Sequence, residues 1–135
     1  MDVVSSVNNF GWADWSTDSC IVDYDKITIK LVYTSSIANK SDVYATIQCI
    51  NYIGFSFIGH WDENIIESIM IEAEGDLITR SLQKIKNNYG EPPVPSQGGG
   101  TRQFDNKWYQ LSIKLIDGTA IEIVCDNFIF DVYSE

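Results

Sequence analysis

The one histidine of the chain stands beside two carboxylates, because His60 precedes Trp61, Asp62 and Glu63. An imidazole that a carboxylate orients can act as a general base, and loop positions after strands often carry such groups. Neighbouring side chains in extended backbone point to opposite faces, however, so these residues are poorly placed to orient one another. We therefore favour a structural interpretation, in which Trp61 anchors the end of a strand and Asp62 or Glu63 caps the next turn.

The cysteines and glycines offer no second catalytic motif. Cys20, Cys49 and Cys125 are odd in number and widely spaced, which fits neither a disulfide framework nor a zinc motif. Cys49 and Cys125 share the apolar faces of predicted strands, where a thiol behaves as a small buried hydrophobe. The glycine run 98–100 lacks the following Lys of a phosphate-binding loop. We predict a protein that is not an enzyme and has no catalytic residues, metal or cofactor.

The charge distribution is more informative. Nineteen Asp and Glu against nine Lys and Arg give a net charge of -10, which opposes nucleic-acid binding and favours a protein partner with a basic surface. Residues 62–76 contain six acidic residues and no Lys or Arg. Such a run is either a solvated face or a recognition face that an aromatic anchor assists. The candidate partner-binding residues are Trp61, Asp62, Glu63, Glu67, Glu72 and Glu74.

Targeting signals are not visible in the sequence. The first residues lack a basic region followed by an apolar run, and no stretch approaches the roughly 18 apolar residues of a membrane span. We expect a cytoplasmic protein with reduced thiols and no membrane partner.

The first half of the chain alternates apolar and polar residues, which is typical of half-buried strands. This pattern predicts strands over residues 26–33 and 43–50, and a third apolar run covers residues 52–58. Gly54 within the third run indicates a bulge or a close backbone approach. Residues 63–73 fit both a helical face and a strand, and we favour a short turn followed by a strand.

The second half contains the one clear helix, over residues 76–89. Asp76 is expected to cap its first amides, and Gly90 is expected to end it. The prolines and glycines of residues 91–103 predict a mobile surface loop, which should be the principal internal site of protease cleavage.

The remaining residues read as strands. Residues 107–116 and 119–125 flank Asp117-Gly118, a strong hairpin signal, and a last strand covers residues 128–133. The two halves also echo one another, which suggests two similar hairpins flanking the helix. The echo joins Cys49, Asn51, Tyr52 and Ile53 to Cys125, Asn127, Phe128 and Ile129.

Together these elements predict a single α+β domain over residues 1–135, in which a mainly antiparallel sheet of about six strands packs one face on the central helix. Residues 1–9 are expected to be a flexible arm, and Phe10, Trp12 and Trp15 are expected to cover one end of the core. The predicted core comprises Ile29, Leu31, Ile47, Cys49, Ile53, Leu82, Ile85, Leu111, Ile113, Leu115, Ile123 and Phe128.

The segment Gly59-His60-Trp61-Asp62-Glu63, with Leu115-Ile116-Asp117-Gly118 and Cys125, is similar to a group of small uncharacterised bacterial proteins. In size and acidity the chain resembles the immunity proteins of polymorphic toxin systems. The resemblance implies a protein that binds and blocks a cognate toxin, and it assigns no residue roles. Two alternatives stay open: a structural module that oligomerises through a strand edge, and a small-molecule enzyme that uses His60 with a distant carboxylate.

Overall fold

The computed structural model describes residues 2–35, 37, 40–60, 62–91, 94–95, 101–102, 104 and 106–134. These residues form an α+β fold whose main strands make two antiparallel sheets of four strands each. The first sheet has the order β1 (Ser16–Val22), β2 (Lys26–Tyr33), β3 (Val43–Ile50) and β10 (Asn127–Ser134). The second sheet has the order β4 (Gly54–Ile58), β9 (Ala120–Cys125), β8 (Tyr109–Leu115) and β5 (Ile66–Glu72). The other elements are α1 (Val3–Asn8), α2 (Asp76–Tyr89), β6 (Val94–Pro95) and β7 (Thr101–Arg102).

The expectation of one six-stranded sheet on a central helix is wrong, because the two sheets bury their apolar faces against each other. Ile27, Ile29 and Leu31 of β2 are fully or almost fully buried in the same core as Leu111 and Ile113 of β8. Helix α2 packs on the outer face of the second sheet, where Leu77 contacts Trp108 and Val124 in a smaller cluster. An amphipathic helix of this length covers only part of a sheet, so each sheet needs the other to bury its inner face.

The predicted core is largely confirmed. Nine of the twelve predicted side chains are buried, and the exceptions are Ile53, Leu82 and Ile85, which are only partly buried. Ile53 and Leu82 pack against the smaller cluster beneath α2 rather than between the sheets. The apolar stripe of α2 therefore lies at the periphery of the core, because the main cluster between the sheets is made mostly of strand residues.

Each sheet receives its fourth strand from the other half of the chain. Strands β1–β3 and strands β5, β8 and β9 form two equivalent three-stranded arrangements, and β10 joins the first while β4 joins the second. The two crossings lie side by side, since the Ile53 amide donates to the Val124 carbonyl at 2.8 Å. The echo between residues 49–53 and 125–129 falls on these crossings, where the two central hairpins end.

The amino-terminal segment is not a flexible arm. Residues Val3–Asn8 form α1, and Val7 is completely buried. The Asn8 side-chain amide donates to the Ile71 carbonyl at 2.9 Å and accepts from the Ile71 amide at 2.7 Å. Further along, the Ile66 amide donates to the Trp15 carbonyl at 2.9 Å, so this segment runs along the free edge of β5. Such cover protects an edge strand from pairing with other chains.

The aromatic cluster behind α1 confirms the expected cover over one end of the core. Trp12 and Trp15 are buried, and the ring centroids of Phe10 and Trp12 are 4.4 Å apart. Phe10 also meets Phe130 of β10 edge-to-face, with ring centroids 5.5 Å apart. Because α1 contacts both β5 and β10, it closes this side of the two-sheet sandwich.

Helix α2 has the predicted bounds but a different cap. Gly75 is the N-cap residue, and the Asp76 carboxylate instead accepts from Arg80 Nε at 2.7 Å, one turn further on. The Leu77 amide is satisfied from outside the helix, by Gln110 Oε1 at 3.1 Å. Gly90 ends the helix with φ 84°, as predicted, and its amide donates to the Lys86 carbonyl.

Two glycines that the sequence analysis singled out, at a predicted close approach and at a predicted hairpin, have clear structural roles. Gly54 allows α2 to approach β4 closely, because a Cβ at this position would lie 2.1 Å from Ser81 Oγ. The Asp117-Gly118 hairpin between β8 and β9 is confirmed, and Gly118 adopts φ 93°, which disfavours residues with a side chain.

Residues 91–103 lie mostly outside the described residues, so their predicted mobility stays a prediction. The described part includes one short element: Val94 pairs with Arg102, and Pro95 pairs with Thr101, in antiparallel register. A loop entirely without strand pairing is therefore the wrong description of this segment.

Candidate functional site

The five described acids of the candidate site lie along β5 and its two flanks, and we call them the acidic edge. All five are exposed. Asp62 and Glu63 precede β5, Glu67 and Glu72 belong to it, and Glu74 follows it. At about 3.3 Å per strand residue, the acidic edge is a strip at least roughly 20 Å long and not a compact cluster. The predicted aromatic member, Trp61, lies outside the described residues.

The loop before β5 is held by a carboxylate from the distant hairpin. Asp117 Oδ2 accepts from the amides of Asp62 at 2.8 Å and Glu63 at 3.1 Å, while Asp117 Oδ1 accepts from Thr119 at 2.8 Å. The amides of Thr119 and Glu63 are the main cause of a pKa for Asp117 well below the usual range. The expected cap by Asp62 or Glu63 is thus reversed: Asp117 caps their amides, and their own carboxylates face solvent.

His60 does contact a carboxylate, since its Nδ1 lies 3.3 Å from Asp62 Oδ2. Both side chains are more than half exposed, so water screens their interaction. The carboxylate is a near neighbour in sequence, whereas the enzyme alternative needs one from a distant segment inside a deep pocket. His60 lines none of the three cavities that are defined below by their residues.

None of the five acids of the acidic edge is among the side chains that line those cavities, although Asn64 lines the first and Ala73 lines the second. The first, of about 420 Å³, lies between the sheets beside β1 and is lined by Thr17, Asp18, Ser19, Cys20, Ile29, Asn64 and Ile121. The second, of about 520 Å³, is next to the start of α1 and includes Lys107 and Asp126. The third, of about 300 Å³, lies between α2 and Phe104. Each opens broadly to solvent, so none is an enclosed chamber for a substrate.

Exposed apolar side chains interrupt the acidic edge, and the sequence interpretation missed them. Opposed residues of paired strands share a face, and Glu72 is opposite Gln110, which bonds to α2 on the outer face. Because side chains alternate between the two faces along a strand, Met70 of β5 also lies on this outer face. Ile116, which directly follows β8, lies on it as well, and both side chains are exposed. Lys114, opposite Ser68, adds a cation to it. The signal was present in the sequence, because Met70 alternates with the buried residues Ile69 and Ile71.

The backbone of β5 is covered where α1 and Trp15 meet it. Asn8 occupies both backbone groups of Ile71, and the Trp15 carbonyl accepts from Ile66. A partner at the acidic edge would consequently be recognised through side chains and not by adding a strand to β5.

Two of the three thiols are buried in this arrangement. Cys49 and Cys125 are completely buried, as predicted, while Cys20 is exposed. The neighbouring Cys125 thiol and burial raise the pKa of Cys49 well above its usual value, and burial also raises the pKa of Cys20. Thiolates, which are the nucleophilic form, are therefore disfavoured at both positions.

Metal and membrane features can be stated for the described residues. No three His, Cys, Asp or Glu side chains converge there closely enough to hold a metal ion. Neither of the described helices has the length and apolar character that crossing a bilayer requires.

Compared with known proteins, the chain matches no family model, no curated protein and no solved structure.

Proposed function

We propose that this protein is a non-enzymatic inhibitor of the immunity type, which binds a basic surface of a cognate toxin through the acidic edge. The observation that carries the proposal is the placement of five exposed carboxylates along an edge strand and its two flanks, where the backbone of the strand is partly covered. A net charge of -10 extends the attraction beyond the contact itself. The resemblance of the chain to immunity proteins in size and acidity points in the same direction.

The arrangement suits recognition of a cationic partner. Carboxylates at the rim of an interface accelerate encounter, whereas a smaller number of desolvated side chains at its centre supply most of the affinity. Met70 and Ile116 are available for that central role, because both are exposed on the outer face between acidic residues. Trp61 stays a predicted anchor.

The test uses the carboxyl-terminal domain encoded by the reading frame immediately upstream, since a toxin and its inhibitor must be made together. We expect this domain to stop growth when expressed alone, and co-expression of the present chain to restore growth. Binding of the two purified proteins is then measured by biolayer interferometry. A domain that is harmless, or one that is toxic but neither bound nor neutralised, would count against the proposal.

A charge-reversal pair locates the interface. Glu67→Lys with Glu72→Lys changes the net charge from -10 to -6, because each reversal adds two. Asp18→Lys with Asp131→Lys makes the same change at exposed positions in the first sheet, and is the matched control. We expect the first pair to lower the association rate about tenfold at 0.1 M salt, where the screening length is about 10 Å, and much less at about 1 M salt. Equal effects from both pairs would show that net charge, and not the acidic edge, controls binding.

Replacement of Trp61 separates its two predicted roles. If the ring is an interface anchor, Trp61→Ala should raise the dissociation rate and leave the melting temperature unchanged. If the ring belongs to the core, the melting temperature should fall instead. A melting temperature that falls without a change in dissociation removes Trp61 from the proposed site.

A further inference from the structure

The four edge strands of the two sheets are not equally protected. The amino-terminal segment covers β5 through Asn8. A register shift between Thr17 and Ser19 interrupts β1, and Asp18 lies at the shift. Asp131 puts a charge on β10, which also packs against α1. Bulges, charges and covering segments are the usual devices that keep edge strands from pairing with another chain.

Strand β4 has neither a charge nor a bulge, and the helix that packs on it, α2, lies on the outer face of the sheet at Gly54. Its sequence Gly-Phe-Ser-Phe-Ile contains no charge and no proline, and its register with β9 is regular throughout. Among the described residues, β9 is its one neighbouring strand. Residues 43–59 contain no Asp, Glu, Lys or Arg, although the chain as a whole carries a charge of -10.

The side of the sandwich at β4 also exposes apolar side chains. Phe55 and Phe57 are opposite Ile123 and Ile121, so they point towards the space between the sheets, yet they are 37% and 39% exposed. On the first sheet, Val22 is opposite the buried Ile27 and is itself exposed. The other side, in contrast, is closed by α1 and its aromatic cluster.

We propose that β4 is a homodimerisation edge, at which two copies of the chain pair their β4 strands antiparallel about a two-fold axis at Ser56. This register is self-complementary, since it sets Phe55 opposite the partner's Phe57 and Gly54 opposite the partner's Ile58. Aromatic cross-strand pairs stabilise such ladders, and a two-fold contact closes on itself without forming filaments. The symmetric sequence Phe55-Ser56-Phe57 matches a second copy of itself, and the absence of charge on β4 lets two chains of charge -10 approach there with the least repulsion.

The dimer has two recognisable properties. A pair of five-residue strands buries less than the roughly 1,200 Å² of a stable interface, so dimerisation is reversible and depends on concentration. Salt strengthens it, because salt screens the repulsion between like-charged copies, whereas salt weakens binding at the acidic edge. Strands β4 and β5 are opposite edges of the second sheet, so the dimer leaves both acidic edges free.

The experiment is sedimentation velocity on the full chain over a concentration series, at about 0.1 M and about 1 M salt. We expect the dimer fraction to rise with concentration and with salt. Ile58→Lys should weaken dimerisation at least about tenfold, because a charged side chain on an edge strand disfavours its pairing with another chain. Ile129→Lys is the matched control, since Ile129 is 43% exposed on β10 of the other sheet and belongs to neither proposed interface, and it should have no effect. A monomer under every condition, or a dimer that Ile58→Lys does not weaken, would overturn the proposal.

A cross-link tests the register independently of that variant. In a Cys20→Ser background, Ser56→Cys should give a covalent dimer with oxidised glutathione, which is reduced to two thiols as the disulfide forms. Directly opposed strand residues have Cα atoms about 4.5–5.5 Å apart, within the range that a disulfide spans. Thr46→Cys, on the central strand β3, should stay monomeric. Failure of Ser56→Cys to cross-link would overturn the two-fold axis at Ser56. These outcomes do not involve a toxin, so they are independent of the proposed function.

Discussion

The Asn8 side chain satisfies both backbone groups of Ile71, donating to the carbonyl at 2.9 Å and accepting from the amide at 2.7 Å. One amide side chain thereby replaces a strand neighbour at the edge of the second sheet. The two residues are far apart in sequence, so this contact fastens the start of the chain to its middle.

Asn8→Ala should lower the free energy of unfolding by about 1–3 kcal/mol, because it removes both hydrogen bonds and leaves partly buried backbone groups of Ile71 unpaired. Asn9→Ala is the control, since Asn9 is exposed and adjacent in sequence. Urea unfolding measures both, and the midpoint should fall without a change in the m-value. Equal midpoints for the two variants would contradict the role of Asn8.

Gly54→Ala should destabilise the fold by about 1–3 kcal/mol, because the added Cβ would lie 2.1 Å from Ser81 Oγ and push α2 away from β4. Gly11→Ala provides the comparison, as a Cβ there meets nothing within 4 Å. Thermal unfolding should separate the two variants by several degrees. A melting temperature for Gly54→Ala as high as that of Gly11→Ala would show that the helix adjusts without cost.

Asp117 should make stability depend on pH at the acidic end. Its pKa is lowered in the folded protein by the amides of Thr119 and Glu63, so its contribution is fully present above the unfolded pKa of about 3.9 and is lost as pH falls towards the folded pKa. Asp117→Asn replaces one acceptor oxygen with a donor and should therefore lower the melting temperature at neutral pH. The difference between variant and wild type should narrow as pH falls below about 4. A difference that stays constant between about pH 7 and about pH 2 would be inconsistent with this account.

The three thiols should differ in reactivity towards N-ethylmaleimide. Cys20 is exposed and should be modified in the native protein, slowly because its raised pKa leaves little thiolate, whereas Cys49 and Cys125 should react only after unfolding. Mass spectrometry before and after denaturation counts the adducts.

We also expect no disulfide between Cys49 and Cys125 that raises the melting temperature. A native protein whose mass is two hydrogens lighter than that of the reduced chain would contradict this.

Local patterns were sufficient to predict several elements. Alternation predicts β2 and β3, the Asp117-Gly118 pair predicts the hairpin, and the apolar stripe with Gly90 predicts the end of α2. In contrast, β1 was missed because most of its residues are exposed or only partly buried at an edge, which leaves no clear alternation. Alternation of apolar and polar residues shows that a strand has one apolar face, but it does not show what covers that face. The packing of the two sheets against each other could therefore not be predicted from the alternation.

The candidate site was also predictable only in part, because local sequence predicts exposure but not contacts with distant segments. Charge and polarity predict that the acidic residues are exposed, and the described ones are. The cap on Asp62 and Glu63 was not predictable, because its acceptor, Asp117, is more than fifty positions away in sequence. Helix α1 was missed on similar grounds, since Asn8 and Val7 are held by contacts with distant segments and not by local helical propensity.

The exchange of β4 and β10 between the two sheets bears on how the chain reaches its native state. Neither half can complete a four-stranded sheet alone, so closing each sheet requires contacts between segments from opposite halves of the chain. Proteins dominated by such distant contacts fold slowly, on the millisecond to second scale, because loop entropy is lost before those contacts form. Fragments cut between β4 and β5 should each stay largely unstructured and should regain structure when mixed, since each supplies the strand that the other lacks.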